Sequence, residues 1–416
     1  MDIITSKKAL AGVIEAPPSK SYVHRMLICA AAADSPTFIS CSSFSEDTAA
    51  TMRCLKSLGA DFKISGGTVT VIPIKKSNDK DICTLDCGES GSTLRFLLPF
   101  AAALGKKCVF TGSERLGKRP LKPLLDEIEA HGAEVELEGE SFLPCTLSGR
   151  LSGGKFEIPA DISSQFISGL LMALGICGGE IHTIGTLKSK KYVGITQEVM
   201  AKFNVETKKT DYGYKVPSGQ QYKSPEKIVS EGDWSNAAFW LVGGAISSEK
   251  GLTCTNLSGT TQGDCEIYNI LKKMGADIKK SENEVTVKKS RLHAINIDAD
   301  DIPDLVPVLC VAASAAEGKT VISNTARLRQ KESDRVITTV NMITALGGKI
   351  EYSENSITVT GTKLTGGVVD SANDHRIAMS AAIASLICEG SVKIVGAEAV
   401  RKSYPDFFEE FEKSAL

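Results

Sequence analysis

The stretch SKSYVHRMLICAAAA (Ser19–Ala33) decides the fold: a polar, basic start runs straight into an apolar helix rich in Ala and Leu. The same phrase recurs along the chain, as ESGSTLRFLLPFAAALG from Glu89, SSQFISGLLMALGICGG from Ser163, DWSNAAFWLVGGA from Asp233, PDLVPVLCVAASAAEG from Pro303 and NDHRIAMSAAIASLICEG from Asn373. Successive starts lie about 70 residues apart, and such a period marks a repeated supersecondary unit.

Within each period a second helix follows and ends in a Leu-Gly-Ala-like cap, as in LKSLGA (Leu55–Ala60), IEAHGA (Ile128–Ala133), LKKMGA (Leu271–Ala276) and ITALGG (Ile343–Gly348), with VMAKFNV (Val199–Val205) a weaker version. A glycine there permits the left-handed turn that stops a helix. Alternating runs come next: GGTVTVI (Gly66–Ile72), ENEVTVKK (Glu282–Lys289) and ENSITVTG (Glu354–Gly361) read as half-buried strands. The unit is therefore βαβαββ-like. The sixth copy stops at its second helix, Asp406–Leu416, and the strand-like Asp2–Ala16 can supply the closing strand. That places the N-terminus in the second half, with the chain crossing between halves near Pro17–Pro18 and near Pro225–Gly232.

Composition bounds the function. The 416 residues exceed one ordinary core and fit two large domains. Lys+Arg number 48 against Asp+Glu 50, so net charge implies no polyanion-binding surface. No run reaches a membrane span of about 18 apolar residues, and MDIITSKKALAGVIEA lacks the apolar core of a signal peptide; we expect a soluble intracellular protein. Twelve cysteines are scattered, with Cys29, Cys177, Cys310 and Cys388 inside apolar helical runs, as free thiols of a reducing compartment would be. The nearest pair in sequence, Cys83 and Cys87, has no matching His or Cys pair, and no metal is expected.

Helix starts present unpaired N–H groups and a partial positive charge, which attract phosphates and carboxylates. Here they carry Lys20, Ser21 and Arg25; Ser92 and Arg95; Ser163, Ser164 and Gln165; His375 and Arg376. Taken singly, each cluster is equally a plain cap or turn: Ser19 and Ser21 after a proline pair, GESGS (Gly88–Ser92) as a turn, SSQ as a capped start, Asn373–Asp374 as a cap. Together, at equivalent places in several copies, they suggest an anion site in a cleft between closing halves.

The motifs PPSKSYVHR (Pro17–Arg25), TGSERLGKRP (Thr111–Pro120), SSQF (Ser163–Phe166), EGDWSNAAFW (Glu231–Trp240), IPD (Ile302–Asp304), RQKESDR (Arg329–Arg335), NDHRIAM (Asn373–Met379) and RKSYPDFF (Arg401–Phe408) resemble the EPSP synthase family, in order along nearly the whole chain. The resemblance implies an α/β, inverse α/β barrel-like fold of two domains with three βαβαββ repeats each: residues 17–229 form the first, on the shikimate 3-phosphate side, and residues 1–16 with 230–416 the second. It implies transfer of the enolpyruvyl group of phosphoenolpyruvate to shikimate 3-phosphate without a cofactor, in a cytoplasmic monomer with no nucleic-acid or membrane partner.

By the same resemblance, shikimate 3-phosphate is held by Ser21, Arg25, Ser163, Ser164, Gln165, Ser189 and Tyr192, with Asp304 and Lys331 at its hydroxyl and phosphate side. Phosphoenolpyruvate is held by Lys20, Arg119, Arg335, Arg376 and Lys402, with backbone near Gly91. The catalytic candidates are Asp304 at the attacking hydroxyl and Glu332 for proton transfer at C3, helped by Lys20 or Lys402, with His375 orienting phosphate. Arginine forks suit such ligands because they match carboxylate and phosphate oxygens in pairs and stay charged. One departure stands out: Glu89 occupies the position where the family usually has Asn, which puts sensitivity to substrate-mimicking inhibitors in doubt.

Two other readings have identifiable signatures. The related UDP-N-acetylglucosamine enolpyruvyl transferases usually carry a reactive Cys in the loop equivalent to Thr111–Pro120, which has none here. A binding protein without activity would not need both the carboxylates Asp304 and Glu332 and the full arginine set, yet all are present.

Overall fold

A computed structural model describes residues 1–75 and 82–414. The six apolar phrases are helices: Lys20–Ala31, Gly91–Leu104, Ser164–Cys177, Trp234–Ser247, Val306–Ala315 and His375–Ser385. The fifth begins later than its polar start suggests, because Pro303–Leu305 first forms a single 3-10 turn. Each helix is buried almost all round, so these runs lack an amphipathic stripe and read as interior helices. Cys388 lies beyond its helix, which ends at Ser385, and remains buried.

In the second, third, fifth and sixth repeats this helix connects two parallel strands of one sheet. In the second repeat, Cys83–Asp86 pairs in parallel with Cys108–Thr111, which pairs antiparallel with Cys145–Gly149, and Ala133–Leu137 forms the far edge. The third and fifth repeats keep the same order within their own segments, with strands Lys155–Pro159, Gly179–Ile184, Gly213–Val216 and Lys208–Thr210, and Asn296–Asp298, Lys319–Ser323, Ser356–Thr360 and Lys349–Tyr352. The alternating runs supply the inner antiparallel strand: Thr68–Ile72 buries Val69 and Val71 and turns its threonines outward, as a period of two requires. The second helices stop as their caps indicate. Gly59 has φ +107°, and Ala60 N donates back to Leu55 O. In the weaker third copy Asn204 takes the same left-handed backbone, φ +60°, with Val205 N donating to Met200 O.

The first and fourth repeats borrow their leading strands. Lys227–Val229, after the third repeat, pairs in parallel with Thr37–Ser40 of the first, and Gly12–Glu15 pairs in parallel with Leu252–Thr255 of the fourth. Asp2–Thr5 lies antiparallel to Val392–Val395 in the sixth sheet. The N-terminal segment thus serves two sheets, where the sequence suggested one closing strand. Chain contacts divide into two compact units, Pro18–Ser230 and Met1–Pro17 with Glu231–Leu416, each with a hydrophobic core of its own. Six open sheets of three or four strands are present among the described residues, and none closes into a barrel. Among those residues no helix is long and apolar enough to cross a membrane.

Candidate functional site

In the unit Pro18–Ser230 the polar helix starts meet one another. Lys20, at the first turn of its helix, binds Asp47 at 2.8 Å, with both side chains mostly buried. The Asp47 carbonyl accepts from Thr93 Oγ1 at 3.3 Å, and Thr93 also donates to Ser90, the N-cap of the next helix. At that helix start a Cβ on Gly91 would lie 2.7 Å from Arg119 Nη1, so the bare backbone lets the guanidinium rest on the helix end. Gln165 joins the third helix start to it: its Nε2 donates to Ser92 Oγ at 2.9 Å, and its Oε1 accepts from Arg95 at 2.7 Å. Ser163 caps that helix by accepting from Gln165 N, and Ser164 is buried beside it. Glu89 is half-buried in the turn before Gly91.

Arg25 forms a second node. Its Nε donates to Thr196 Oγ1 at 2.6 Å, Nη1 to Ser21 O at 2.7 Å, and Nη2 to Ser168 Oγ at 3.2 Å and Tyr192 O at 3.0 Å. The guanidinium also lies over Phe96, 4.8 Å from the ring centre. Burial pulls the Arg25 pKa down to about 10, still far above neutrality. Four bonds to the protein make Arg25 chiefly a brace that holds Ser21 and Tyr192. Ser189, buried, starts the helix Lys190–Lys202 in left-handed backbone, φ +51°.

In the other unit the charges centre on Arg335, whose side chain is 1% exposed. It meets Asp304 at 2.6 Å, Glu332 at 2.6 Å and Asp374 at 2.8 Å. Lys331 stands 3.4 Å and Arg376 3.7 Å from Asp304. Burial pushes the Asp304 carboxyl up, but Lys331, Arg335 and Arg376 outweigh it and hold the group well below the ordinary carboxylate range. Arg376 donates from Nη1 to Ser235 O at 3.0 Å, and its backbone N–H is capped by Asp374. His375 is buried in the same first turn, after Ala372 and Asn373 in left-handed backbone. Lys402, also buried, donates to Asn373 O at 2.6 Å.

Asp304, Lys331, Glu332, Arg335 and Arg376 of this second set form one connected group with Asp374, while His375 lies 3.9 Å from Asp374 and Lys402 holds the neighbouring Asn373 carbonyl. The first set divides into the group around Gly91 and the group around Arg25. Several partners escaped the sequence reading. Asp374 was read as a cap only, and it also grips Arg335. Asp47 and Asp264 were not singled out; the first lies in an acidic helix start, the second in the turn TTQGDCE beside Ser235 and the Asp304 charge. No spacing signal links Asp264 to Asp304. Among the described residues no group of three or more His, Cys, Asp or Glu is disposed to hold a metal ion.

The chain is similar to known proteins along nearly its whole length. The family model described as EPSP synthase (3-phosphoshikimate 1-carboxyvinyltransferase) matches residues 4–411. The 3-phosphoshikimate 1-carboxyvinyltransferases of Clostridium kluyveri and Clostridium acetobutylicum are 40% and 41% identical, each over 97% of this chain and 94% and 95% of their own. An EPSP synthase structure from Acinetobacter baumannii superimposes with TM-score 0.83 at 26% identity, covering all of this chain and 98% of that one. The enolpyruvyl transferase NikO from Streptomyces tendae shares the fold at 18% identity and TM-score 0.79, over the whole chain and 98% of its own. Matched by that family model over nearly its whole length and by relatives at 40% identity, this chain belongs to the EPSP synthase family.

Proposed function

We propose that this chain transfers the enolpyruvyl group of phosphoenolpyruvate to the 5-hydroxyl of shikimate 3-phosphate and releases phosphate. The hydroxyl gives up its proton and adds to C2 of the enol as C3 takes a proton; the tetrahedral adduct then loses a proton from the C3 methyl and expels phosphate by C–O cleavage. The observation that carries the reading is the buried Arg335 network, in which Lys331, Arg335 and Arg376 surround one carboxylate, Asp304, within a family-wide sequence match.

The reading assigns Ser21, Arg25, Ser163, Ser164, Gln165, Ser189 and Tyr192 to shikimate 3-phosphate, with Asp304 and Lys331 at its hydroxyl and phosphate side. It assigns Lys20, Arg119, Arg335, Arg376, Lys402 and the backbone near Gly91 to phosphoenolpyruvate. Residues 17–229 take the first substrate; for the second, they supply Lys20 and Arg119, and residues 1–16 with 230–416 supply Arg335, Arg376 and Lys402. Three cations hold Asp304 ionised, which makes it a weak proton acceptor and favours an orienting role toward the hydroxyl. Glu332, with Lys20 or Lys402, is left to move the C3 proton, and His375 to orient phosphate. In this reading the enzyme works in the cytoplasm as a monomer, without cofactor, nucleic acid or membrane.

The test is phosphate release from the purified chain. We expect release only with both substrates present, and none when UDP-N-acetylglucosamine replaces shikimate 3-phosphate. Binding of both substrates, seen as a rise in Tm, with no phosphate formed would reduce the protein to a binder; turnover of the nucleotide sugar would reassign it to the related transferase.

A further inference from the structure

Twelve free thiols are distributed through the protein, and one partly exposed thiol, Cys83, touches another, Cys108. Cys83 and Cys108 are the first residues of neighbouring parallel strands and are direct register partners. Their sulfurs lie 3.1 Å apart. Neighbouring strands run about 4.8 Å apart, within the Cα separation a disulfide spans. From this geometry we infer that Cys83 and Cys108 form a dithiol that takes up a reversible disulfide cross-link, a modification site separate from the residues assigned to the substrates.

Access and polarity assign the two roles. Cys83 is partly exposed, whereas Cys108 is buried behind it. The hydrogen bond shared with Cys108 holds the outer thiol below its ordinary range, outweighing the upward push of burial, with Lys106 adding a smaller pull. Cys108 is raised in turn. Cys83 is therefore the attacking thiolate and Cys108 the resolving thiol. The other partly exposed thiols are differently placed: Cys177 directs its sulfur at Ala173 O and burial raises its pKa, and Cys265 lies in a separate unit. Cys54 and Cys87 also interact, but both are buried.

The oxidant required is a low-molecular-weight disulfide, RSSR. Cys83 sulfur bonds to one of its sulfurs as the RS–SR bond breaks and RS⁻ departs. Cys108 then gives up its proton, and its sulfur attacks Cys83 Sγ and displaces the second RS⁻. Two protein thiols lose two electrons and two protons; RSSR gains them and leaves as two RSH.

The experiment is titration of the folded, full-length protein with oxidised glutathione, followed by alkylation, peptide mapping and intact mass. We expect loss of two thiols and of the mass of two hydrogens, a single linked peptide pair joining Cys83 to Cys108, and full reversal by dithiothreitol. Cys108→Ser is expected to stop at a glutathione adduct on Cys83, and Cys83→Ser to lose the cross-link. A wild-type map in which Cys83 stays free, or in which Cys177 or Cys265 takes the glutathione first, overturns the inference. So does a linkage between any other pair. Because the wild-type map needs no variant and no substrate, neither misfolding of a mutant nor failure of the assigned activity can be mistaken for failure here.

Discussion

Arg335 shows what one side chain does in this protein. A buried guanidinium serves three carboxylates, Asp304, Glu332 and Asp374, and removing it leaves all three facing one another with less compensation. Breaking such a buried network costs about 3–5 kcal/mol, because uncompensated charge remains inside. Arg335→Met is expected to lose that much in urea unfolding, together with activity; a loss below about 1 kcal/mol would mean the carboxylates find other cations. Arg335→Lys keeps the charge without the fork, and should recover part of the stability but little turnover. Asp264 provides the pH counterpart. Burial and the neighbouring Asp304 and Asp233 charges raise its pKa from 3.8 to about 7, against the lowering pull of its hydrogen bond from Ser235 and of the Arg376 charge. A carboxyl raised on folding stabilises the fold while it is protonated, and that contribution fades as pH climbs from the unfolded value through the folded one. Asp264→Asn should therefore gain Tm relative to the parent between pH 4 and pH 7 and level off above; a difference that stays flat across that window would remove Asp264 from the account. Neither partnership was legible at this scale. Residue types at RQKESDR and NDHR announced anion chemistry, but Asp374 stands 39 positions from Arg335, and only folding shows that a cap is also a counterion.

At the scale of elements, the first helix of each repeat was readable because its apolar run is unbroken and its start is polar. What the run did not disclose is how closely such helices pack. The helices Gly91–Leu104 and Ser164–Cys177 approach so tightly that a Cβ on Gly169 would fall 2.2 Å from Arg95 O. Backbone cannot yield as a flexible side chain can, so Gly169→Ala should cost about 1–3 kcal/mol in chemical denaturation, more than its gain in helix propensity of about 1 kcal/mol. Since Arg95 holds Gln165, which holds Ser92, the same change should raise KM for shikimate 3-phosphate. A neutral or stabilising effect would mean the two helices slide apart freely. The third repeat carries a related lesson: its second helix lacked the Leu-Gly-Ala signature, yet Asn204 adopts the same left-handed turn. Asparagine tolerates that backbone better than other side-chain-bearing residues, so the cap geometry persisted while its usual letter changed.

For the whole molecule the telling feature is reciprocal strand lending. Each time the chain passes from one unit to the other, at 17–18 and at 230–231, the strand just before the crossing stays behind in the sheet of the unit being left. Lys227–Val229 remains with the first repeat and Gly12–Glu15 with the fourth. Residues 18–230 thus contain every strand of their three sheets, and that fragment should melt cooperatively by itself. Residues 231–416 alone lack Asp2–Thr5 and Gly12–Glu15, which leaves two strand edges unpaired. We expect this fragment to aggregate or melt broadly, and residues 1–17 joined by a linker after residue 416 to restore a sharp transition in circular dichroism. A fragment 231–416 that folds as well without them would show the borrowed strands to be dispensable.

Sequence alone determined the repeat, the class of unit, the positions of the interior helices and the polar and basic residues gathered at their starts, because each is a local pattern of period, cap and charge that neighbouring residues express without help. The tertiary structure decided which sheet each terminal strand joins, which carboxylate answers which arginine, and that Cys83 meets Cys108, a cysteine 25 positions away. Those pairings span from 25 to nearly 400 positions and exist only once packed helices and sheets bring distant backbone together, which no local pattern encodes.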